Sequence, residues 1–147
     1  MKISLPENVP QGKDVIAEIL KNHKTIAVVG LSSNPARPSF GVTRYMQSCG
    51  YRVIPVNPNE TEVLGVKAFP RLEDIPKSAN VAIVDIFRRS ANIPPVVDSA
   101  IAIGAKVIWM QQGIENPQAA AKAGAAGLIV IEDACILIEH RLRFTSR

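Results

Sequence analysis

The sequence predicts an α/β fold in which one doubly wound parallel sheet of five strands carries helices on both faces. Short apolar runs of strand length alternate with segments whose apolar residues recur at helical spacing. The connections are mostly a few residues long, which favours a parallel sheet with right-handed crossovers. The first apolar run, residues 25–29, is followed by Gly30 and a polar loop, and apolar residues at helical spacing begin at Val42. Strand, glycine turn and helix form the opening unit of Rossmann-like folds.

Each element has its own signal in the chain. An amphipathic pattern predicts an extra N-terminal helix over residues 11–22, and we expect it outside the core units because it precedes the first strand. Strands are predicted at residues 25–29, 51–56, 80–86, 106–110 and 127–131, in the sheet order 3-2-1-4-5. Helices are predicted from about residue 39 to Gly50, over 90–103, from Asn116 to about 123, and over 134–144. A short extended piece at 64–69 and one helical turn at 72–75 fill the longest connection.

The strand interiors supply the predicted core, because strands of a covered parallel sheet are nearly continuous apolar runs. The residues expected to be buried are Val28, Val29, Val53, Ile54, Ile83, Val84, Ile108, Ile129 and Val130. Trp109 is expected in the core rather than as a stacking platform. Pro55 cannot donate to a ladder, so it belongs near a strand end or at an irregular pairing.

Composition narrows the class of protein. Hydrophobic residues make up 47% and charged residues 20% of the 147 residues, so we expect one domain over 1–147 with its core at about 24–143. Two cysteines without metal or disulfide spacing, no signal-peptide core and no run of membrane-spanning length predict a cytoplasmic protein with no membrane partner. The net charge of +4 is scattered through loops and tail. Nucleic acid is therefore not an expected partner, whereas an acidic small molecule is.

The candidate site follows from topology, because open α/β sheets bind ligands beyond the carboxyl ends of their strands. The loops at that edge are residues 30–40, 57–60, 85–89, 111–114 and 132–135. Hydroxyls at Ser32, Ser33 and Ser39 and the guanidinium of Arg37 suit phosphate oxygens, and a helix N-terminus favours an anion. The loops therefore predict a phosphate-bearing ligand.

Several of these residues also have simpler interpretations. Ser39 is either the cap of its helix or a ligand contact, and Arg37 is either a ligand contact or a solvated loop residue. Gln111 and Gly113 either contact the ligand or only form a turn, and one of Arg88 and Arg89 is expected to face the site. The lone carboxylates at the strand ends are expected to order loops or cap helices; they are Asp85, Glu115, Glu132 and Asp133.

The details of the first loop disfavour a nicotinamide dinucleotide. After Gly30 the next glycine is Gly41, so the G-x-G-x-x-G fingerprint is absent. The second predicted strand ends at Asn57 instead of the acidic residue that would hold a ribose hydroxyl. The alternative function is an NADP-dependent oxidoreductase or a CoA-using transferase; in the NADP case Arg52 or Arg71 would take the 2′-phosphate. A partner-binding protein with a vestigial pocket is a third hypothesis.

The chain resembles a known family, the small stand-alone CoA-binding proteins. These share their fold with the amino-terminal domain of the succinyl-CoA synthetase alpha subunit. The motifs that carry the resemblance are VGLSSN from Val29, RPS from Arg37, VIPVNP from Val53, LG at Leu64, VDIFR from Val84 and WMQQGI from Trp109. Their order and spacing cover residues 24–143. Neither histidine of the sequence, His23 or His140, is placed like the phosphorylated histidine of that subunit, so we do not expect synthetase chemistry.

The resemblance implies that coenzyme A, or an acyl-CoA, lies across the strand ends. It assigns the diphosphate to residues 30–34, the adenosine with its 3′-phosphate to 57–59, and the pantetheine or nucleotide to 85–88. The predicted ligand-binding residues are Gly30, Leu31, Ser32, Ser33, Asn34, Arg37, Ser39, Phe40, Asn57, Pro58, Asn59, Asp85, Phe87, Arg88, Gln111 and Gly113.

Nothing in the sequence forms a catalytic set. A nucleophile with its base, paired carboxylates and a metal-ligand cluster are all missing from the predicted site, so we expect a binding module with no catalytic residues and no metal. The sequence does not decide whether the chain forms a homodimer or binds another protein. Cys135 is expected at the start of the closing helix as a packing residue, and the alternative is a thiol that forms a mixed disulfide with CoA.

Overall fold

In the computed structural model, which describes residues 1–7, 9 and 13–145, strands and helices alternate along the chain. The strands are β1 (Lys2–Ser4), β2 (Thr25–Val29), β3 (Arg52–Val56), β4 (Glu62–Val63), β5 (Val66–Lys67), β6 (Ile83–Ile86), β7 (Val107–Met110) and β8 (Ile129–Glu132). The α-helices are α1 (Val15–Asn22), α2 (Pro38–Ser48), α3 (Ile93–Ala102), α4 (Pro117–Ala125) and α5 (Ile136–Phe144). Short 3-10 turns lie at Leu72–Asp74, Lys77–Ala79 and Ser90–Asn92.

Among the described residues, six strands form the main sheet, in the order β1-β8-β7-β6-β2-β3, and β4 and β5 form a separate hairpin. Four of the five strand pairings in this sheet are parallel, and the fifth, between β1 and β8, is antiparallel. The α/β Rossmann-like class is confirmed, but the expected count of five strands omits β1. This strand has three exposed residues, too few to show any periodicity, and it exists through its pairing with β8.

The predicted strand order 3-2-1-4-5 is wrong. The third predicted strand, β6, pairs with β2 and not with β3, so the five predicted strands lie in the order 2-1-3-4-5. The outer edge of β3 is occupied by Phe69, whose N–H donates to the Pro55 carbonyl at 2.9 Å and whose carbonyl accepts from the Asn57 N–H at 2.9 Å. The chain then crosses β2 and adds β6 on its other side. In this order the ligand-binding crevice of doubly wound folds lies between the first and third strands, here β2 and β6.

The core has one layer on each face of the sheet. Helices α3 and α4 cover one face, and α1, α2 and α5 cover the other. The expectation that the N-terminal helix lies outside the core units is wrong, since Ile16 and Leu20 of α1 are fully buried in the same cluster as Ile26 of β2. The physical reason is that a wide sheet presents more apolar area than two helices can cover.

The predicted core residues are buried with one exception. Ile129 is only half-buried because it is the first residue of β8, whereas the other strand positions and Trp109 are enclosed. Trp109 is 0% exposed and its indole N–H donates to the Ala134 carbonyl at 2.8 Å, so its core role is confirmed. Pro55 lies in the edge strand β3, as its missing N–H requires.

The helix ends largely follow the capping signals. Asn116 accepts from the Ala119 N–H at 2.9 Å as the cap of α4, and Gly50 adopts φ 94° just after α2. The start of the N-terminal helix predicted at residue 11 lies outside the described residues; α1 begins at Val15, with Asp14 as its cap. Across residues 1–7, 9 and 13–145, every helix is too short or too polar to cross a membrane.

Candidate functional site

A cleft of about 970 Å³ opens at the carboxyl ends of β2, β6 and β7. It is bounded by the loops that follow these strands and by the loop after β3, which the topology predicted to meet at one edge. The lining residues are Gly30, Ser32, Arg37, Pro38, Ser39, Val42, Asn57, Asn59, Glu60, Phe87, Arg88, Arg89, Ser90, Gln111, Gln112, Gly113, Ile114 and Cys135.

The structure brings most of the predicted ligand-binding residues to this cleft but not all of them. Those on its walls are Gly30, Ser32, Arg37, Ser39, Asn57, Asn59, Phe87, Arg88, Gln111 and Gly113. Those outside its lining are Leu31, Ser33, Asn34, Phe40, Pro58 and Asp85. Leu31 is fully buried and Phe40 packs on the same apolar cluster, since both side chains turn towards the core. Val42 and Ser90 line the cleft although they fall just beyond the predicted loops.

Gly30 makes the floor of the cleft possible. Its φ of 87° lies in the left-handed region, and its N–H donates to the Val56 carbonyl at 2.8 Å. A Cβ built at this position would lie 2.6 Å from the Phe87 carbonyl oxygen. The loops after β2 and β6 can therefore pass this close to each other only at a glycine.

The first loop is braced by its own polar side chains. The Ser39 hydroxyl accepts from the Ser32 N–H at 3.1 Å, and the Ser32 hydroxyl accepts from the Asn34 N–H at 3.0 Å. The side-chain Oδ1 of Asn34 in turn accepts from the Ala36 N–H at 3.0 Å. Ser39 is thus not the cap of α2, whose capping position is Arg37, and its buried hydroxyl instead fixes the loop.

The loop after β3 is tied to the first loop by two side chains. The Asn57 amide donates to the Leu31 carbonyl at 3.1 Å and accepts from the Asn59 N–H at 3.0 Å. The Glu60 carboxylate accepts from both the N–H and the hydroxyl of Ser33, at 2.8 Å and 3.0 Å. Asn57 therefore positions the two loops relative to each other as well as lining the cleft.

Positive charge dominates the cleft walls. Arg37 and Arg89 are exposed and Arg88 is half-buried. In the part of the chain that the structure describes, none of these guanidinium groups lies within ion-pair distance of a carboxylate. Glu60 is the one acidic residue on the described walls. Unpaired guanidinium groups in a concave site attract a phosphate-bearing anion.

Polar side chains order the wall of the cleft that follows β7 and β8, which is the role expected for Glu132 and Asp133. The side-chain Oε1 of Gln111 accepts from the Ile136 N–H at 3.1 Å at the start of α5. The Asp133 carboxylate accepts from the Gly113 N–H at 2.6 Å, and Glu132 accepts from the Asn116 N–H at 3.0 Å. Cys135 occupies the N-cap position of α5 without a side-chain capping hydrogen bond, because the helix begins at Ile136 and not at the predicted residue 134. Its half-buried side chain lines the cleft.

Asp85 lies inside the molecule and not on the cleft surface. It is 1% exposed on β6, between Val28 of β2 and Trp109 of β7 in the sheet register. Its Oδ1 has no hydrogen-bond partner among the described residues. Burial raises the pKa of this carboxyl group well above its ordinary value, so that the protonated form is favoured.

Replacing Asp85 with asparagine is expected to stabilise the protein at neutral pH and above. The unfolded carboxyl has a pKa of about 3.9, so above that pH the folded state retains a proton that the unfolded state releases. Stability then falls as pH rises towards the folded pKa, by at most about 1.4 kcal/mol per pH unit. Asparagine does not titrate, so the variant lacks this pH dependence of stability. Urea unfolding should give similar midpoints near pH 4 and a higher midpoint for the variant at pH 8, and parallel pH profiles would contradict the assignment.

The arginines considered for NADP binding do not reach the cleft. Arg52 is the first residue of β3, at the amino edge of the sheet, opposite the cleft. Arg71 lies outside the cleft lining and pairs with Asp74 at 3.1 Å. Neither arginine therefore lines the cleft, although Arg71 lines a neighbouring cavity that also contains Arg88.

Comparisons with known proteins agree with this architecture. Residues 24–141 match the family model described as a CoA binding domain. The chain is 44% identical over 128 residues to the uncharacterized protein YneT of Bacillus subtilis, covering 87% of this chain and 93% of that one. A solved structure of a hypothetical protein from Pyrococcus horikoshii has a TM-score of 0.87 at 38% identity, covering 99% of this chain and 100% of that chain.

A shorter stretch is similar to part of a larger enzyme. The alpha subunit of ADP-forming acetate–CoA ligase II from Pyrococcus furiosus is 38% identical over 64 residues, which make up 43% of this chain but 14% of that subunit. The matched family residues agree with the resemblance expected over residues 24–143. This chain, with its doubly wound sheet and its cleft at the strand ends, belongs to the CoA-binding domain family.

Proposed function

We propose that this protein binds coenzyme A, free or acylated, in the cleft at the carboxyl ends of β2, β6 and β7. The observation that carries the proposal is the set of unpaired arginines, Arg37, Arg88 and Arg89, around a glycine turn in a member of this family. CoA brings a diphosphate and a 3′-phosphate, and charge-assisted hydrogen bonds to phosphate are among the strongest that a protein makes.

In this arrangement each part of CoA meets one wall. The first loop, with Ser32 and Arg37, receives the diphosphate, and the loop with Asn57 and Asn59 receives the adenosine and its 3′-phosphate. The pantetheine arm runs past Phe87 towards the wall that contains Gln111, Gly113 and Cys135. Phe87 supplies apolar surface there, and Arg88 lies beside it.

We propose binding without turnover. The cleft lining contains no histidine, and the two histidines of the chain lie elsewhere: His23 follows α1, and the His140 Nδ1 is hydrogen-bonded to the Tyr45 hydroxyl at 2.8 Å. Cys135 is therefore a cleft thiol without a base from the described lining residues. A module of this kind holds or presents CoA and does not transform it.

Mass spectrometry of the small molecules released from freshly purified protein tests the ligand class. We expect CoA or an acyl-CoA, with nucleotide absorbance near 260 nm and none near 340 nm. Release of NADP or NADPH would support the oxidoreductase alternative, and intact mass under non-reducing conditions would reveal any CoA attached to Cys135.

Asn59→Glu is expected to weaken CoA binding more than binding of dephospho-CoA. Asn59 is exposed on the cleft wall and its backbone N–H, which binds Asn57, is unchanged by the substitution. The new carboxylate would lie near the proposed position of the 3′-phosphate and repel that group. Each 1.4 kcal/mol of unfavourable binding free energy weakens the affinity about tenfold. Titration calorimetry with both ligands measures the difference. Asn22→Glu, an exposed change at the end of α1, is the control, and equal losses for both ligands would contradict this assignment of the 3′-phosphate.

A further inference from the structure

The Glu60 carboxylate occupies the position where an external anion would be expected. Its Oε2 accepts from the Ser33 N–H at 2.8 Å and from the Ser33 hydroxyl at 3.0 Å, across 27 residues of sequence. Glu60 also lines the cleft that contains Arg37, Arg88 and Arg89. Within the described residues Glu60 forms no ion pair, so the two Ser33 donors are the groups that stabilise its negative charge by direct contact.

Four other N–H groups of the first loop already have acceptors in the loop or in the helix that it opens. The Ser32, Asn34 and Ala36 N–H groups are bound by side chains of residues 39, 32 and 34, and the Arg37 N–H donates to the Asn34 carbonyl. Freeing any of these donors would break the turn itself. The Ser33 N–H and hydroxyl are different, because their acceptor is a half-buried carboxylate from another loop and not part of the turn. Ser33 itself is exposed just outside the cleft lining, and Glu60 lines the cleft beside it.

We propose that Glu60 is an internal competitor for the phosphate-binding loop. In the free protein its carboxylate holds the Ser33 donor pair, and a phosphate group of the ligand displaces it and takes the same two donors. This inference rests on the proposed function in naming CoA as the ligand, but the displacement itself applies to any phosphate that enters the first loop.

The opposite role is a structural tether, in which the Glu60 contact holds the two loops in the form that binds ligand. The two roles predict opposite signs. If Glu60 competes, its removal frees the donors and the affinity rises, because the apparent dissociation constant is the intrinsic one divided by the competent fraction. If Glu60 only tethers, its removal loosens the loop and the affinity falls.

Titration calorimetry of CoA into the wild-type protein, Glu60→Ala and Glu60→Gln provides the first test. We expect about tenfold tighter binding for Glu60→Ala, which corresponds to a carboxylate that occupies the donors about nine-tenths of the time. Glu60→Gln should give a smaller gain, because a neutral acceptor competes less strongly. Glu62→Ala removes an exposed carboxylate of β4 outside the cleft lining and is the matched control, with unchanged affinity. Weaker or unchanged CoA binding by Glu60→Ala would overturn the proposal.

A second measurement separates this inference from the proposed function. The amide resonance of Ser33 is followed by NMR while inorganic pyrophosphate is added to the wild-type protein and to Glu60→Ala. We expect the resonance to shift at about tenfold lower pyrophosphate in the variant, by the same population argument. This result would support the competitor role even if the wild-type protein fails to bind CoA. Equal pyrophosphate responses in the two proteins would overturn the competitor role whatever CoA does.

Discussion

Gly30→Ala is expected to destabilise the protein by about 2–5 kcal/mol, the largest loss of stability that we predict for a single methyl group. The φ of 87° disfavours an L-residue, at a cost of roughly 1–2 kcal/mol. The added Cβ would also lie 2.6 Å from the Phe87 carbonyl oxygen, which is backbone and cannot rotate away. The loops after β2 and β6 would have to separate, and the floor of the cleft would change with them.

Urea unfolding of the purified variants measures this effect. Gly124→Ala is the matched control, because Gly124 lies inside α4 with open space at its Cβ position. Removing a glycine from a helix interior is expected to stabilise the protein by about 0.5–1 kcal/mol. If Gly30→Ala unfolds at the wild-type urea concentration, the close approach of the two loops is not a constraint on the fold.

Arg37→Ala is expected to weaken CoA binding about tenfold to a hundredfold, at about 1.4 kcal/mol per decade. A hydrogen bond to a charged group contributes roughly 1.5–3 kcal/mol, and Arg37 has its guanidinium free to make one. The side chain is exposed, makes no capping hydrogen bond at the start of α2 and forms no ion pair within the described residues. The melting temperature of the free protein should therefore stay within about a degree or two of the wild-type value.

Arg52→Ala is the matched control for charge, since Arg52 is exposed at the opposite edge of the sheet. Calorimetry should show unchanged CoA affinity for this variant at the same ionic strength. Equal losses in the two variants would mean that net charge attracts the ligand, and a large fall in the melting temperature of Arg37→Ala would mean that Arg37 supports the loop instead.

The sequence could predict the α/β class because the spacing of apolar residues within each long strand or helix shows which type of element that segment forms. The strand order could not be read in this way. The connection from β3 to β6 contains a hairpin and short 3-10 turns instead of a long helix, so it has no pattern that shows which side of β2 it reaches. The decisive contact is the bridge of Phe69 to β3, which closes that edge.

The candidate site was predictable as a set of loops, because the carboxyl ends of parallel strands meet at one edge whatever the strand order. Single residues within those loops were harder to assign. Leu31 and Asp85 are both among the predicted ligand-binding residues, yet both side chains are buried. The contact of Glu60 with Ser33 joins residues that are distant in sequence, so only the folded chain shows that the first loop already holds an anion.

Titration calorimetry of the wild-type protein with CoA and with NAD tests whether the cleft is a CoA-binding site. The two ligands share an adenosine diphosphate, but only CoA carries the 3′-phosphate and the pantetheine arm that the cleft is proposed to receive. We expect CoA to bind in the micromolar range or tighter and NAD to bind much more weakly. Equal affinity for the two ligands, or no CoA binding in the micromolar range, would contradict the proposal.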